Sequence, residues 1–352
     1  ATVLPGLIDA HTHLTWDPQS QRTTPPDIAV PHEPLIGART ARLTLLAGFT
    51  AARNLGSTGF SDLALRDAIA AGDVPGPRLR AAGTGMGIPG GVCDAVFQAG
   101  GTAQGAEAVT QKVRDLTRAG ADTIKLCAGG GVLATPRDAE AVEFSEEELR
   151  AIVTEAHQGG LPVAAHAQGQ EAIRRAVAAG VDSIEHGGLI DEEIALQMKQ
   201  KKIYLVPTLY RLEWRLENAE KRGIDPAQLE RLRQAVTANQ ENIRRAIRVG
   251  VPIALGTDAT VYPHGLNARE LASLVRVGLS PLEALRAATL NAAELLRWSN
   301  DIGSLEAGKY ADLIAVAGDP LQDITVLQEV KFVMRGGRLY RNELALGCWL
   351  EP

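Results

Sequence analysis

The chain has 352 residues, of which 45% are hydrophobic and 22% charged, and its 36 Lys+Arg against 42 Asp+Glu give a formal charge of −6. This balance excludes a disordered chain. With only 4% aromatics and no cation excess it also excludes a nucleic-acid binder, and no apolar run approaches the roughly 18 residues of a membrane span.

At roughly 150 residues per domain the length allows about two domains or one large α/β barrel. Short apolar runs alternate with amphipathic stretches. Candidate strands lie at 4–14, 50–55, 78–83, 121–127, 162–167, 182–186, 203–208 and 252–258. Candidate helices lie at 38–48, 61–71, 103–119, 145–159, 170–179, 191–201 and 226–249, with more after 266. Runs such as Val163-Ala164-Ala165 are apolar on both faces, as buried parallel strands are. Ala119-Gly120, Ala179-Gly180 and Val249-Gly250 read as helix C-caps leading into strands. Eight strands alternating with helices predict an α/β fold, a (β/α)8 TIM barrel over residues 1–300. The Pro-rich stretch 17–36 reads as a loop over its mouth.

Residues 301–352 differ. Tyr310 to Val316 and Glu329 to Arg335 alternate like strands, and Gly336-Gly337 reads as a hairpin turn into Arg338 to Arg341. This small C-terminal β-sandwich portion cannot bury its own sheet and must pack on something else. Cys93, Cys127 and Cys348 are few and widely spaced, which argues against a disulfide framework and fits a cytoplasmic, reducing location. An upstream signal segment is left open, because the chain starts abruptly on Ala1-Thr2-Val3.

His11-Thr12-His13 ends the first candidate strand, where residues two apart share a face. His166, His186 and Asp258 close three further strands, and Lys125 ends another before Gly129-Gly130-Gly131. In a barrel these ends meet at the C-terminal face, where active sites sit. His32, His157 and His264 lack this placement, and Cys127, following Lys125, is expected to face the helices as a small buried hydrophobe. Four imidazoles and a carboxylate suit Zn²⁺. A buried Lys gains a role there if its lowered pKa lets the neutral amine add carbon dioxide, giving a carboxylate-like carbamate.

These stretches resemble the amidohydrolase superfamily. The match runs through Leu4 to His13, Thr123-Ile124-Lys125-Leu126-Cys127-Ala128, His166-Ala167-Gln168-Gly169, Ile184-Glu185-His186-Gly187, Gly256-Thr257-Asp258-Ala259 with Pro263-His264-Gly265, and Gly308 to Leu313. It is nearest to the branch of metal-dependent Xaa-Pro dipeptidases (prolidase-like) and zinc arginine or lysine carboxypeptidases, with imidazolonepropionase more distant. The resemblance implies one metal on His11, His13 and Asp258, a second on His166 and His186, and carboxylated Lys125 bridging them. The metals would be zinc, with manganese or cobalt as alternatives. Two departures stand out: the N-terminal sandwich strands of that family are absent, and Gly90-Gly91-Val92 replaces a Gly-Gly-His.

The resemblance implies hydrolysis of an amide bond of a dipeptide or N-acyl amino acid by metal-activated hydroxide, with Asp258 moving the proton. The alternatives are a mononuclear imidazolonepropionase-like cyclic amide hydrolase or deaminase, and a non-catalytic metal-stabilised scaffold. Tyr210, Arg211 and His264 are candidate substrate contacts, although Leu209 to Leu216 also reads as an amphipathic helix with Tyr210 and Arg211 on its outer face. The expected partner is a small molecule or dipeptide, with no nucleic acid or membrane, in a homo-oligomer.

Overall fold

The computed structural model describes residues 1–16, 26–97, 101–131 and 140–344, without side-chain detail at 26–31 and 95–97. Its strands are β1 (Thr2–Pro5), β2 (Leu7–Thr12), β3 (Phe49–Asn54), β4 (Arg78–Ala81), β5 (Ile124–Cys127), β6 (Val163–Ala167), β7 (Ser183–His186), β8 (Tyr204–Val206), β9 (Leu313–Val316), β10 (Val330–Arg335) and β11 (Arg338–Asn342). The predicted strand 4–14 is thus two strands in two sheets. Gly6 makes the break, since a β-carbon there would lie 2.0 Å from Thr50 Oγ1.

β2-β3-β4 and β5-β6-β7-β8 form two parallel sheets. They meet along one edge through a Met86–Leu126 bridge and the bond from Asp122 N–H to Ala81 O, 2.8 Å. On the other edge the predicted strand 252–258 forms no continuous ladder among the described residues. It bridges Leu205 at Ile253, its Leu255 carbonyl accepts from Ala10 N–H at 2.8 Å, and Ala259 bridges Thr12.

The helices follow the amphipathic stretches: Ser61–Ala71, Ala106–Ala119, Glu146–Gln158, Gln170–Ala179, Glu192–Lys201 and Pro226–Val249. Gly120, Gly180 and Gly250 cap three of them in the left-handed region, the conformation glycine adopts without a Cβ penalty. The stretch read as a loop is corrected in part. Pro26–Leu46 is helical despite Pro31 and Pro34 inside it, while 17–25 lie outside the described residues.

The small sheet has the order β1-β9-β10-β11, all antiparallel, with Gly336 and Gly337 at φ 57° and 77° in the predicted hairpin turn. β1 corrects the expectation that every N-terminal strand is missing: Thr2 to Pro5 pair with Val316 to Leu313. Ile314, Val316, Leu327, Val330 and Val333 pack in one cluster with Leu7, Leu45 and Phe49, so the parallel sheets supply the cover this sheet needs.

The cysteine reading is also corrected. Cys93 and Cys127 form a disulfide with a Cα–Cα distance of 5.7 Å, so the premise of unpaired thiols fails for these two; Cys348 lies outside the described residues. Cys127 is two residues after Lys125, and strand alternation puts residues two apart on one face, not on opposite faces. Among the described residues no helix is long and apolar enough to cross a membrane.

Candidate active site

The C-terminal ends of the parallel strands bring all six predicted ligand residues together. The ring centroids of His11 and His13 are 5.3 Å apart, those of His11 and His186 5.0 Å, and those of His166 and His186 4.6 Å. Asp258 Oδ1 lies 3.3 Å from His13 Nε2 and 3.5 Å from His11 Nε2. One donor atom each from His11, His186 and Asp258 falls within 4.8 Å of the others, a spacing one cation could span. Lys125 is buried within electrostatic reach of Glu185 and Asp258.

Strand alternation explains only part of this convergence. Ser183 and Glu185 are two apart and both meet Arg53, so His186 belongs on the other face. Its φ of 73° breaks the alternation and swings it into the cluster. Thr208 and Asp258 have φ of 47° and 54°. Such left-handed non-glycine backbone costs roughly 1–3 kcal/mol per residue and collects at functional sites. Gly256 sits directly behind His11, where a β-carbon would lie 2.3 Å from Val206 Cγ1 and 2.7 Å from His11 Cβ.

A layer of partners that the sequence reading missed orients the rings. Glu185 Oε2 holds His11 Nδ1 at 2.7 Å, while Glu185 Oε1 accepts from Arg53 Nη2 at 2.9 Å. Thr208 Oγ1 holds His186 Nδ1 at 2.7 Å and accepts from Arg211 Nε at 3.1 Å. Asp9 ties the seam, accepting from Thr257 Oγ1 at 2.6 Å and Asn267 Nδ2 at 2.9 Å. Glu270 accepts the N–H groups of Leu209 and Tyr210, both at 2.8 Å, and so fixes the start of the helix Tyr210–Glu217. The charges of Arg53 and Glu185 inside two different candidate strands were the available signal.

Burial sets the protonation states. Desolvation and the charge of Lys125 push His166 down to about 3 and His11 well below its ordinary value, so both rings are neutral. Burial also lowers the Lys125 ammonium to about 8. Burial pushes Asp258 up, but the His13 hydrogen bond and the charge of Arg211 outweigh it and hold the carboxyl far below the usual range. The Nε2 atoms of His11 and His166 are sealed from water and have no hydrogen-bond partner. Unprotonated nitrogens left bare in this way are what a cation takes up.

The three substrate candidates divide. Arg211 is buried with Nε 3.6 Å from Asp258 Oδ2, and Arg215 lies one turn further on with its Nε buried and unbonded. Tyr210 turns its hydroxyl to Glu217 and Arg269, each at 3.0 Å, and His264 Nδ1 lies 3.3 Å from Thr44 Oγ1. The helical reading of Leu209 to Leu216 holds for the helix but not for its orientation, since Tyr210 and Arg211 lie on the buried side and not on the outer face.

Residues 2–340 match the model of the Amidohydrolase family. Ochratoxinase from Aspergillus niger is 34% identical over 380 residues, covering 99% of this chain and 77% of the ochratoxinase. A Xaa-Pro dipeptidase with methionine bound in its active site superposes with a TM-score of 0.88 at 37% identity, covering 97% of this chain and 87% of the dipeptidase. A prolidase complexed with N-methylphosphonate-L-proline gives 0.82 at 31% identity, covering 97% and 87%. The chain therefore belongs to the amidohydrolase family, as a hydrolase acting on C–N bonds.

Proposed function

We propose that the chain is a dinuclear metal-dependent amidohydrolase cleaving the amide bond of a dipeptide or N-acyl amino acid, on a (β/α)8 barrel completed by the 252–259 segment. What carries this reading is the meeting of six side chains at one set of strand ends, with the Nε2 atoms of His11 and His166 buried and bare. In it, His11, His13 and Asp258 would hold one cation and His166 and His186 the other. Carboxylated Lys125 would bridge them. The donor set fits zinc, with manganese or cobalt as alternatives. Bound there, two cations supply a lowered pKa for a water molecule and polarisation of the scissile carbonyl.

The chain's own residues do the rest. With Nδ1 bonded to Glu185, His11 is fixed with Nε2 toward the cluster, and Thr208 fixes His186 in the same way. The neutral Lys125 amine forms an N–C bond to carbon dioxide and loses a proton, leaving a carbamate. Asp258, held ionised, takes a proton from the attacking water and delivers it to the leaving nitrogen as the C–N bond breaks. The acyl half leaves as a carboxylate. Arg211, beside Asp258, would pair a substrate carboxylate. Proline and methionine, the moieties named with the two solved relatives, both carry such a group. Tyr210 would reach a developing oxyanion on leaving Glu217, and His264 would line the same rim.

The test is a panel of dipeptides and N-acyl amino acids, each with its C-terminal amide, assayed on metal-loaded protein whose metal content is counted by mass spectrometry. Two ions per chain and turnover of the free acids over the amides are expected. One ion per chain with turnover of cyclic amides alone would replace this reading with the imidazolonepropionase type. Two ions and no turnover of any member would replace it with a scaffold.

A further inference from the structure

At the opposite end of the strands from the histidines, a cleft of about 340 Å³ lies between β4, the loop around Trp298 and the small sheet. That volume falls within the range of small-molecule sites. Arg66, Arg78, Arg80 and Arg335 line it, with Trp298 and Tyr310. Arg78 stacks on Tyr310 with the guanidinium carbon 3.6 Å from the ring centre, and Arg80 stacks on Trp298 at 4.2 Å. Stacking fixes the guanidinium planes in advance of any ligand.

The acids of the cleft are already committed. Asp122 accepts from Arg66 at 2.8 Å, Arg80 at 3.2 Å and the Ala81 N–H at 3.0 Å. Asp312 accepts from Arg78 Nε at 3.0 Å and the Gly336 N–H at 2.6 Å. Asp301 is exposed on the rim. Arg335 is different. Among the described residues no carboxylate lies within ion-pair distance of it. Its Nη1 donates to the Gly76 carbonyl at 2.9 Å, and its Nε is buried with no hydrogen-bond partner. Burial and the neighbouring Arg78 charge disfavour its cationic form and outweigh the opposing pull of Asp312 and Tyr340. A buried, unbonded Nε beside other guanidinium groups is costly unless an acceptor, best an anion, completes it.

We propose that this cleft is a second ligand site, separate from the hydrolytic centre, that binds a small doubly charged oxyanion through Arg335 with Arg78 and Arg80 on either side. The shared chemistry is that of a phosphate monoester or a dicarboxylate, and inorganic phosphate and succinate serve as the two probes. Each is titrated calorimetrically into the metal-loaded protein at constant ionic strength, with Arg335→Gln and Arg80→Gln alongside and thermal unfolding as the check on folding.

Removing one charge-assisted contact should weaken binding about tenfold in each variant, with the rate on the best amide substrate unchanged. Phosphate bound at the metals would not respond to Arg335→Gln, so the two locations separate. The probe whose isotherm weakens identifies the headgroup. Affinity equal in wild type and both variants, or no heat from either probe at millimolar concentration, overturns the proposal. If Arg335→Gln fails to fold, Arg80→Gln carries the test, since Arg66 still holds Asp122 in that variant.

Discussion

The two ends of the parallel strands handle buried charge in opposite ways. Around Asp122 and Asp312, carboxylates, arginines and backbone N–H groups are matched, with Arg335 the exception. At the histidine end the Nε2 atoms of His11 and His166 are buried and bare, and His186, Thr208 and Asp258 sit in left-handed backbone. Elsewhere the same backbone appears at Phe60 and Lys202, where it caps helices and needs no functional reason. Satisfied charge reads as architecture; unsatisfied charge on strained backbone reads as a site built for something else.

The sharpest way to break this contrast is Asp258→Asn. If strain and bare nitrogens serve catalysis, turnover should fall about 10²–10⁴-fold, with a much smaller drop in the thermal midpoint from the lost partner of buried Arg211. Steady-state kinetics and calorimetry read the two effects together. Full activity would dismiss Asp258 as the proton carrier.

Glu185→Gln comes next. Gln keeps the shape but loses the charge between His11 and Arg53. Losing such an outer partner of a ligand typically weakens metal affinity about 10–100-fold. Competition with a chromogenic chelator measures it, and unchanged affinity would mean that the His11 ring is held by packing alone.

The contrast also explains what could be read from the letters. His11, His13 and His166 were legible because strand alternation and chain order place them, and Lys125 because a lone cation in an apolar strand stands out. The left-handed turn that brings in His186 has no such signature, and neither does the missing ladder at 252–258. Glu185 and Arg53 pair across 132 residues of sequence, so neither announces its partner. Cys93 and Cys127 were misjudged because counting cysteines says nothing about two that the fold places side by side. The first half of the helix Pro26–Leu46, up to residue 36, was read as loop because it is rich in proline, which normally ends helices, while 38–48 was read as helix.

A third test sharpens the packing behind the site. In Gly256→Ala the added methyl meets Val206 and His11, whose backbone N lies 2.9 Å from it. Overpacking of this kind costs about 1–3 kcal/mol. Denaturant melts should show that loss, with metal affinity falling as His11 is displaced. Wild-type stability in this variant would mean that β2 and the 256 segment can move apart.

The last test asks whether the support under Arg211 is architecture in the same sense. Glu270 is fully buried, and burial raises its carboxyl from 4.5 to about 8 despite the N–H groups of Leu209 and Tyr210. The folded state therefore keeps a proton that the unfolded chain releases near 4.5. Its contribution is complete below that pH and is lost as pH rises toward 8. The slope approaches about 1.4 kcal/mol per pH unit inside this window and flattens above it. Glu270→Gln cannot titrate, so its stability deficit relative to wild type should shrink steadily between pH 5 and 8. Denaturant midpoints in that range decide the matter, and a constant gap would show that Glu270 is ionised in the fold and anchors the Tyr210–Glu217 helix as a charged cap.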